Sequence, residues 1–172
     1  MDINSGGIGG SINLESQPEW TKETVVTFNA GLGSFDNYTG QVKAKAGNVN
    51  FQTVTKAFLQ SVQNDFPYLS TVSGPAPVTV KRKNNEVLQK RFIEELFFKM
   101  DSNILSSRFW YQSASRNLPG SIIYGESVSG EKQYDESLRC MINYDHSGTK
   151  SDFFITGAYM FTMLNYSYPV YM

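Results

Sequence analysis

The chain is short of the groups on which most enzymes depend. It has one cysteine, Cys140, and one histidine, His146, in 172 residues. A single thiol excludes an internal disulfide and any multi-cysteine metal centre. A single imidazole leaves little for a zinc site or a serine triad. Charge is scarce as well: 15 Lys+Arg against 16 Asp+Glu give a net charge of -1, and only 18% of residues are charged. No broad attraction to nucleic acid follows from that balance. Carboxylates such as Asp65 and Glu126 stand alone in the sequence, which gives paired acid–base catalysis no support. No apolar run is long enough for a transmembrane helix, and Met1-Asp2-Ile3-Asn4-Ser5 lacks the basic and apolar regions of a secretory signal. The expectation is a protein that is not an enzyme and holds neither metal nor cofactor.

Rings are abundant instead. Aromatics make up 14% of the chain, with 12 Phe and 10 Tyr. That bias suits strands, and it suits the aromatic girdles of membrane barrels. Between Thr24 and Ala46 the pattern becomes explicit. Val26, Phe28, Ala30 and Leu32 alternate with Thr27, Asn29, Gly31 and Gly33; after Ser34-Phe35-Asp36-Asn37, Tyr38, Gly40, Val42, Ala44 and Ala46 alternate with Thr39, Gln41, Lys43 and Lys45. Side chains on a strand point to opposite faces with period two. The stretch therefore predicts an antiparallel hairpin with one apolar face and one wet face carrying lysines. A mean hydropathy of -0.34 is compatible with a membrane barrel, because alternating strands average out.

The same pattern recurs along the chain. Strands are predicted over 49–62, 89–100, 104–114, 133–145 and 151–164. Phe58 and Val54 break the alternation of the first of these. In 89–100, Phe92, Leu96, Phe98 and Met100 share a face on which Glu94 is an exception, and the helix formers of 87–100 offer a helix as the rival. Gly47-Asn48, Asp101–Asn103 and His146–Thr149 read as short turns, with His146 a solvated turn residue. Asn64–Leu88 and Ser115–Lys132 read as long loops. Lys81-Arg82-Lys83, in the first of them, reads as a solvated run before it reads as a nucleic-acid site. The glycines of Gly6-Gly7-Ile8-Gly9-Gly10 precede a short strand, Ser11–Glu15; no Lys-Ser/Thr follows at phosphate-loop spacing. Pro18 bars a ladder bond in the linker after it. The sum is an all-β chain, an antiparallel meander of about seven long strands whose short and long connections alternate. Membrane barrels sort their connections in this way, with short turns on one side and longer loops on the other.

Three short segments carry a family resemblance. Gly9-Gly10-Ser11-Ile12-Asn13-Leu14 resembles the strand that closes the plug domain of TonB-dependent outer-membrane receptors, just before their first barrel strand. Gln63-Asn64-Asp65-Phe66-Pro67-Tyr68 is similar to the start of an early outer loop in that family. Arg116-Asn117-Leu118-Pro119-Gly120 looks like the R-x-x-P-G that opens a later one.

The resemblance implies residues 1–19 as the C-terminal end of a plug and its linker. Residues 20–172 would then be the N-terminal portion of a transmembrane β-barrel of the 22-stranded class. It implies a bacterial outer-membrane location and a receptor that imports a scarce nutrient: siderophore, corrin, haem or glycan. Energy would come from TonB, which contacts such receptors through a plug N-terminus that this sequence does not contain. The expectation is a fragment whose partners are outer-membrane lipid and a small-molecule or glycan ligand, with no nucleic acid. The plug-end motif is Gly9, Gly10, Ile12 and Asn13, and Phe66, Tyr68, Arg116 and Tyr124 are the candidate ligand contacts in the loops, since rings and an arginine suit a bulky or anionic ligand. Equally, they can pack the loop bases against each other. Two alternatives stand beside this reading: a small complete outer-membrane barrel or adhesin-like protein, and a soluble lipocalin-type binding barrel. The lipocalin predicts apolar side chains pointing inward; the membrane readings predict the reverse.

Overall fold

The computed structural model describes residues 17–71, 74, 76–121 and 130–168. Within them the strands are β1 (Val25–Gly33), β2 (Asn37–Gly47), β3 (Phe51–Val62), β4 (Pro67–Ser70), β5 (Val78–Lys81), β6 (Val87–Met100), β7 (Asn103–Leu118), β8 (Glu131–Ser147) and β9 (Asp152–Ser167). Seven of them form one antiparallel sheet in the order β1-β2-β3-β6-β7-β8-β9, and β4 pairs only with β5. The fold class is all-β, and the sheet is an open meander. The expected strand Ser11–Glu15, the plug-end residues Gly9, Gly10, Ile12 and Asn13, and the loop residue Tyr124 lie outside the described residues.

The later strands run past their expected ends. β7 extends to Leu118 rather than 114, and β8 and β9 reach 17 and 16 residues. The cause is pairing: Ser115, Arg116, Asn117 and Leu118 face Tyr134, Gln133, Lys132 and Glu131 across the ladder. Polar residues hold strand geometry there because both neighbours supply backbone partners, which sequence alternation alone does not register. The same tertiary pairing decides 87–100. Its helix formers become β6, tied to β3 on one side and β7 on the other. Asn64–Leu88 is less irregular than expected, since it contains the β4–β5 hairpin.

Connections sort by end. The β2–β3, β6–β7 and β8–β9 connections are short and leave the sheet at one end; the β1–β2, β3–β6 and β7–β8 connections leave it at the other. The first of the latter is tight as well. Phe35 and Asp36 both take positive φ, 61° and 53°, the left-handed region that tight hairpin connections use. A phenylalanine there is strained. It is held by its neighbours: the Phe35 carbonyl accepts from Gln63 N and Asn64 N at 3.2 Å each, and its ring meets Phe66 edge-on at 6.2 Å.

Seven consecutive antiparallel strands leave β1 and β9 pointing the same way, and each has one free edge within the sheet. Pairing them with each other would make a parallel seam. Antiparallel closure therefore needs an odd number of further strands between β9 and β1.

Candidate functional site: the two faces of the sheet and its long-loop end

Residues paired across an antiparallel ladder share a face, so the register assigns every side chain. One face carries Phe28, Val42, Ala57, Phe92, Tyr111, Leu138 and Phe161 along a single rung. The other carries Lys43, Lys56, Ile93, Trp110, Arg139 and Met160 along the next. Burial is distributed contrary to the rule for soluble domains. Among the described residues, the buried side chains of the seven-stranded sheet are Gln52, Val54, Val62, Glu95, Phe97, Ser106 and Ser137. All seven lie on the polar face. The apolar face is open: Phe28 is 72% exposed, Leu32 85% and Ile142 55%.

The apolar face is banded. In β1 and β2 its apolar residues reach the rung Leu32–Tyr38. In β3 they stop at Leu59 and in β7 at Tyr111. In β6 and β8 the polar residues Lys90 and Glu136 interrupt them, and Leu88 and Tyr134 follow on the same face. At the short-turn end the belt finishes in rings. Phe51 and Phe98 lie 4.8 Å apart, and Phe153 meets Tyr144 at 5.9 Å and His146 at 5.0 Å. His146 is therefore a strand residue rather than a solvated turn residue. Its Nδ1 lies 2.8 Å from Asn103 Oδ1, which also accepts from Tyr144 OH at 2.7 Å. Cys140 sits half-buried on the apolar face. Glu94, the exception on that face, is held between two threonines of β3: Thr53 Oγ1 donates at 2.5 Å and Thr55 Oγ1 at 2.7 Å. Hydroxyls at 53 and 55 were the available sequence signal for it.

The polar face is a lattice of cations on rings and carboxylates. Arg91 lies 5.1 Å over Phe58, Arg139 5.1 Å over Trp110, and Arg108 5.8 Å over Phe97. Phe58 and Val54, irregular in sequence, thus have places on this side. Glu95 is 4% exposed and receives Lys56 Nζ at 2.9 Å and Arg108 Nε at 3.4 Å. The chain preceding β1 crosses the same face. Glu19 N and Trp20 N both donate to Gln52 Oε1, at 2.9 and 3.0 Å. Lys45 pairs with Glu19, and Lys99 stands 5.8 Å from the Trp20 ring. No family model matches the chain, and no curated protein matches it.

At the long-loop end, the expected ligand contacts that the structure describes, Phe66, Tyr68 and Arg116, have separate neighbours. Phe66 packs on Phe35 as described. Tyr68 lies half-buried in β4, opposite Val80. Arg116 is on the polar face, and its Nη1 holds Asp135 Oδ2 at 2.9 Å. What ties this end together was less visible in sequence: asparagines reaching backbone. Asn84 Nδ2 donates to Leu118 O at 2.7 Å and Glu131 O at 3.3 Å, while Asn64 and Asn85 exchange amide-to-carbonyl bonds at 3.3 and 3.1 Å. Arg82 reaches the Gly120 carbonyl. Lys81 holds Asp65 at 2.6 Å, and that hydrogen bond raises the lysine pKa above its usual value. Lys81 and Arg82, two cations of the basic run, are therefore engaged within the loops. Among the described residues, no group of three or more His, Cys, Asp or Glu is gathered for a metal.

The crossing segment yields a first prediction. Gln52→Ala removes one acceptor from two backbone donors and is expected to cost about 1–3 kcal/mol of the segment's attachment. Trp20 fluorescence in a Trp110→Phe background should report the loss as a red shift; an unchanged spectrum would mean that Gln52 does not hold the segment. Attachment should also depend on acid. The Lys45 hydrogen bond, then its charge, lowers the Glu19 pKa. The carboxylate's contribution is therefore complete above the ordinary glutamate range. It fades as pH falls through the depressed native value.

Proposed function

We propose that this chain is wall from a TonB-dependent outer-membrane receptor: the first strands of a 22-stranded barrel, with its apolar belt against lipid and its cation-rich face toward the lumen and plug. Its role is import of a scarce nutrient, recognised outside and moved by energy from TonB, rather than catalysis. The observation that carries the reading is the inverted burial. Every buried side chain described in the large sheet is on the polar face, while Phe28, Val42 and Ile142 stand exposed on the other. A lipocalin-type barrel needs those residues packed inside.

Strand length and direction favour a larger barrel too. The seven strands are 9 to 17 residues long, against about 9–11 needed to cross a bilayer. Open sheet edges are not tolerated in lipid. The parallel seam that seven strands alone would create argues against a small complete barrel, and fifteen further strands satisfy the odd-number requirement of a barrel of about 22. The segment 17–20 on the polar face fits a linker coming from a plug.

Nitroxide scanning in lipid vesicles tests this. Labels at Phe28, Val42 and Ile142 should collide with oxygen, which partitions into lipid. Labels at Thr27, Lys43 and Asn143 should collide with a water-soluble nickel chelate. Uniform collision with the chelate at all six positions would rule out the membrane assignment.

A further inference from the structure

We infer that the apolar face carries a binding site for one phosphate-bearing lipid, with an acyl chain seated over Gly40 and the headgroup held by Lys90. The inference rests on the lipid-facing reading of that face and adds a specific ligand to it. Three observations meet at one place. The first is a depression on the sheet lined by Phe28, Gly40, Val42, Ala57, Leu59 and Lys90. Register explains its shape. Ala30, Gly40 and Ala57 are small and adjacent on this face, while Phe28, Val42 and Leu59 stand around them. Gln41 and Phe58 complete the lining, and the surface it offers is almost wholly apolar.

The second observation is the glycine itself. Gly40 lies inside β2, paired on both sides, where a glycine weakens a strand. No turn or unusual backbone requires it, and a Cβ built there would meet nothing within 4 Å. A strand glycine facing open space leaves room for a ligand to approach the backbone. An acyl chain is a chemically suitable occupant: flexible, apolar and narrow enough for a channel between Phe28 and Leu59.

The third is the cation at the rim. Lys90 sits across the ladder from Leu59 and Ser113 on the apolar face, near the long-loop end of β6 between Leu88 and Phe92. It makes no hydrogen bond or ion pair with any described residue, although Lys45, Lys56 and Lys81 all have carboxylate partners. A lysine near the end of a lipid-facing strand extends toward the headgroup level. There its ammonium meets phosphate, with the tail of the same lipid lying in the depression below. The headgroup must be anionic, since Lys90 is the polar side chain on the apolar rim of the site.

The test uses the full protein reconstituted in vesicles of phosphatidylcholine and phosphatidic acid in equal amounts, with retained lipid counted by native mass spectrometry. The wild type should retain one phosphatidic acid in preference to phosphatidylcholine by about fivefold, the scale of one lysine at an anionic surface. Lys90→Gln should keep a lipid but lose the preference. Gly40→Leu, which fills open space, should retain neither while the strand signature in circular dichroism stays unchanged. Wild-type retention by Gly40→Leu, or an undiminished preference in Lys90→Gln, would overturn the site. The nitroxide pattern separates the two levels: if oxygen contact at Phe28 and Ile142 persists, only the lipid site has failed, and if it is lost, the wall assignment has failed as well.

Discussion

Ile142→Arg should destabilise the protein in a bilayer by about 2–4 kcal/mol, the cost of an arginine near the midplane of a barrel's lipid face. Ile142 occupies the middle of the β8 belt, with Leu138 and Cys140 on one side and Tyr144 and His146 on the other. It is 55% exposed, so in water the same substitution would fall within about 0.5 kcal/mol, as surface changes usually do. The neighbour supplies the control. Asn143 points to the polar face, opposite Ser106 and Thr156, and Asn143→Arg should be much milder in lipid. Urea unfolding from vesicles against unfolding from a mild detergent measures both. Equal, small effects of the two arginines in vesicles would remove the bilayer from the account of this face.

That test is discriminating because alternation alone is silent on which face is inside. Period two in Val26–Leu32 and Tyr38–Ala46 assigned the residues to two faces, and the ladder pairs them as expected. The environment of each face depends on long-range geometry: where the 17–20 segment lies, and how rings and guanidiniums crowd on one side. Gln52 shows the limit. Nothing local marks it as the acceptor for Glu19 and Trp20, more than thirty residues away. The loop end was obscure for a related reason. Arg116 read as a candidate ligand contact or a packing residue with no named partner, because Asp135 is close only once β7 and β8 are in register. The asparagines at 64, 84 and 85 act on carbonyls brought near by strand pairing, and Asn64 and Asn84 also take positive φ, which asparagine tolerates better than most residues. Composition flagged turns there and could not name their partners.

Glu95 offers the second large effect, and it probes the opposite face. Its carboxylate is 5% exposed and lies between Lys56 and Arg108, with Val54 beside it on β3 and Phe97 two residues along β6. Truncation by Glu95→Ala leaves two cations facing each other without their anion. Removing one member of a buried charge group costs about 3–5 kcal/mol, because the remaining charge stays desolvated. A pair bathed in lumen water would be worth only about 0–1 kcal/mol. Unfolding free energies of Glu95→Ala therefore measure how dry this part of the polar face is. Phe97→Ala, expected to cost about 3–5 kcal/mol through lost packing, calibrates the scale at an adjacent site that is itself 2% exposed. A double-mutant cycle with Arg108→Met then isolates the charge contribution: coupling of about 1–3 kcal/mol is expected for groups in one network. Full cost at Phe97 with none at Glu95 would show that water reaches the carboxylate and that the lysine–arginine lattice is solvated. Full cost at both would make these two rungs a rigid girder under the crossing segment, which is anchored at Gln52 directly across the ladder from Phe97.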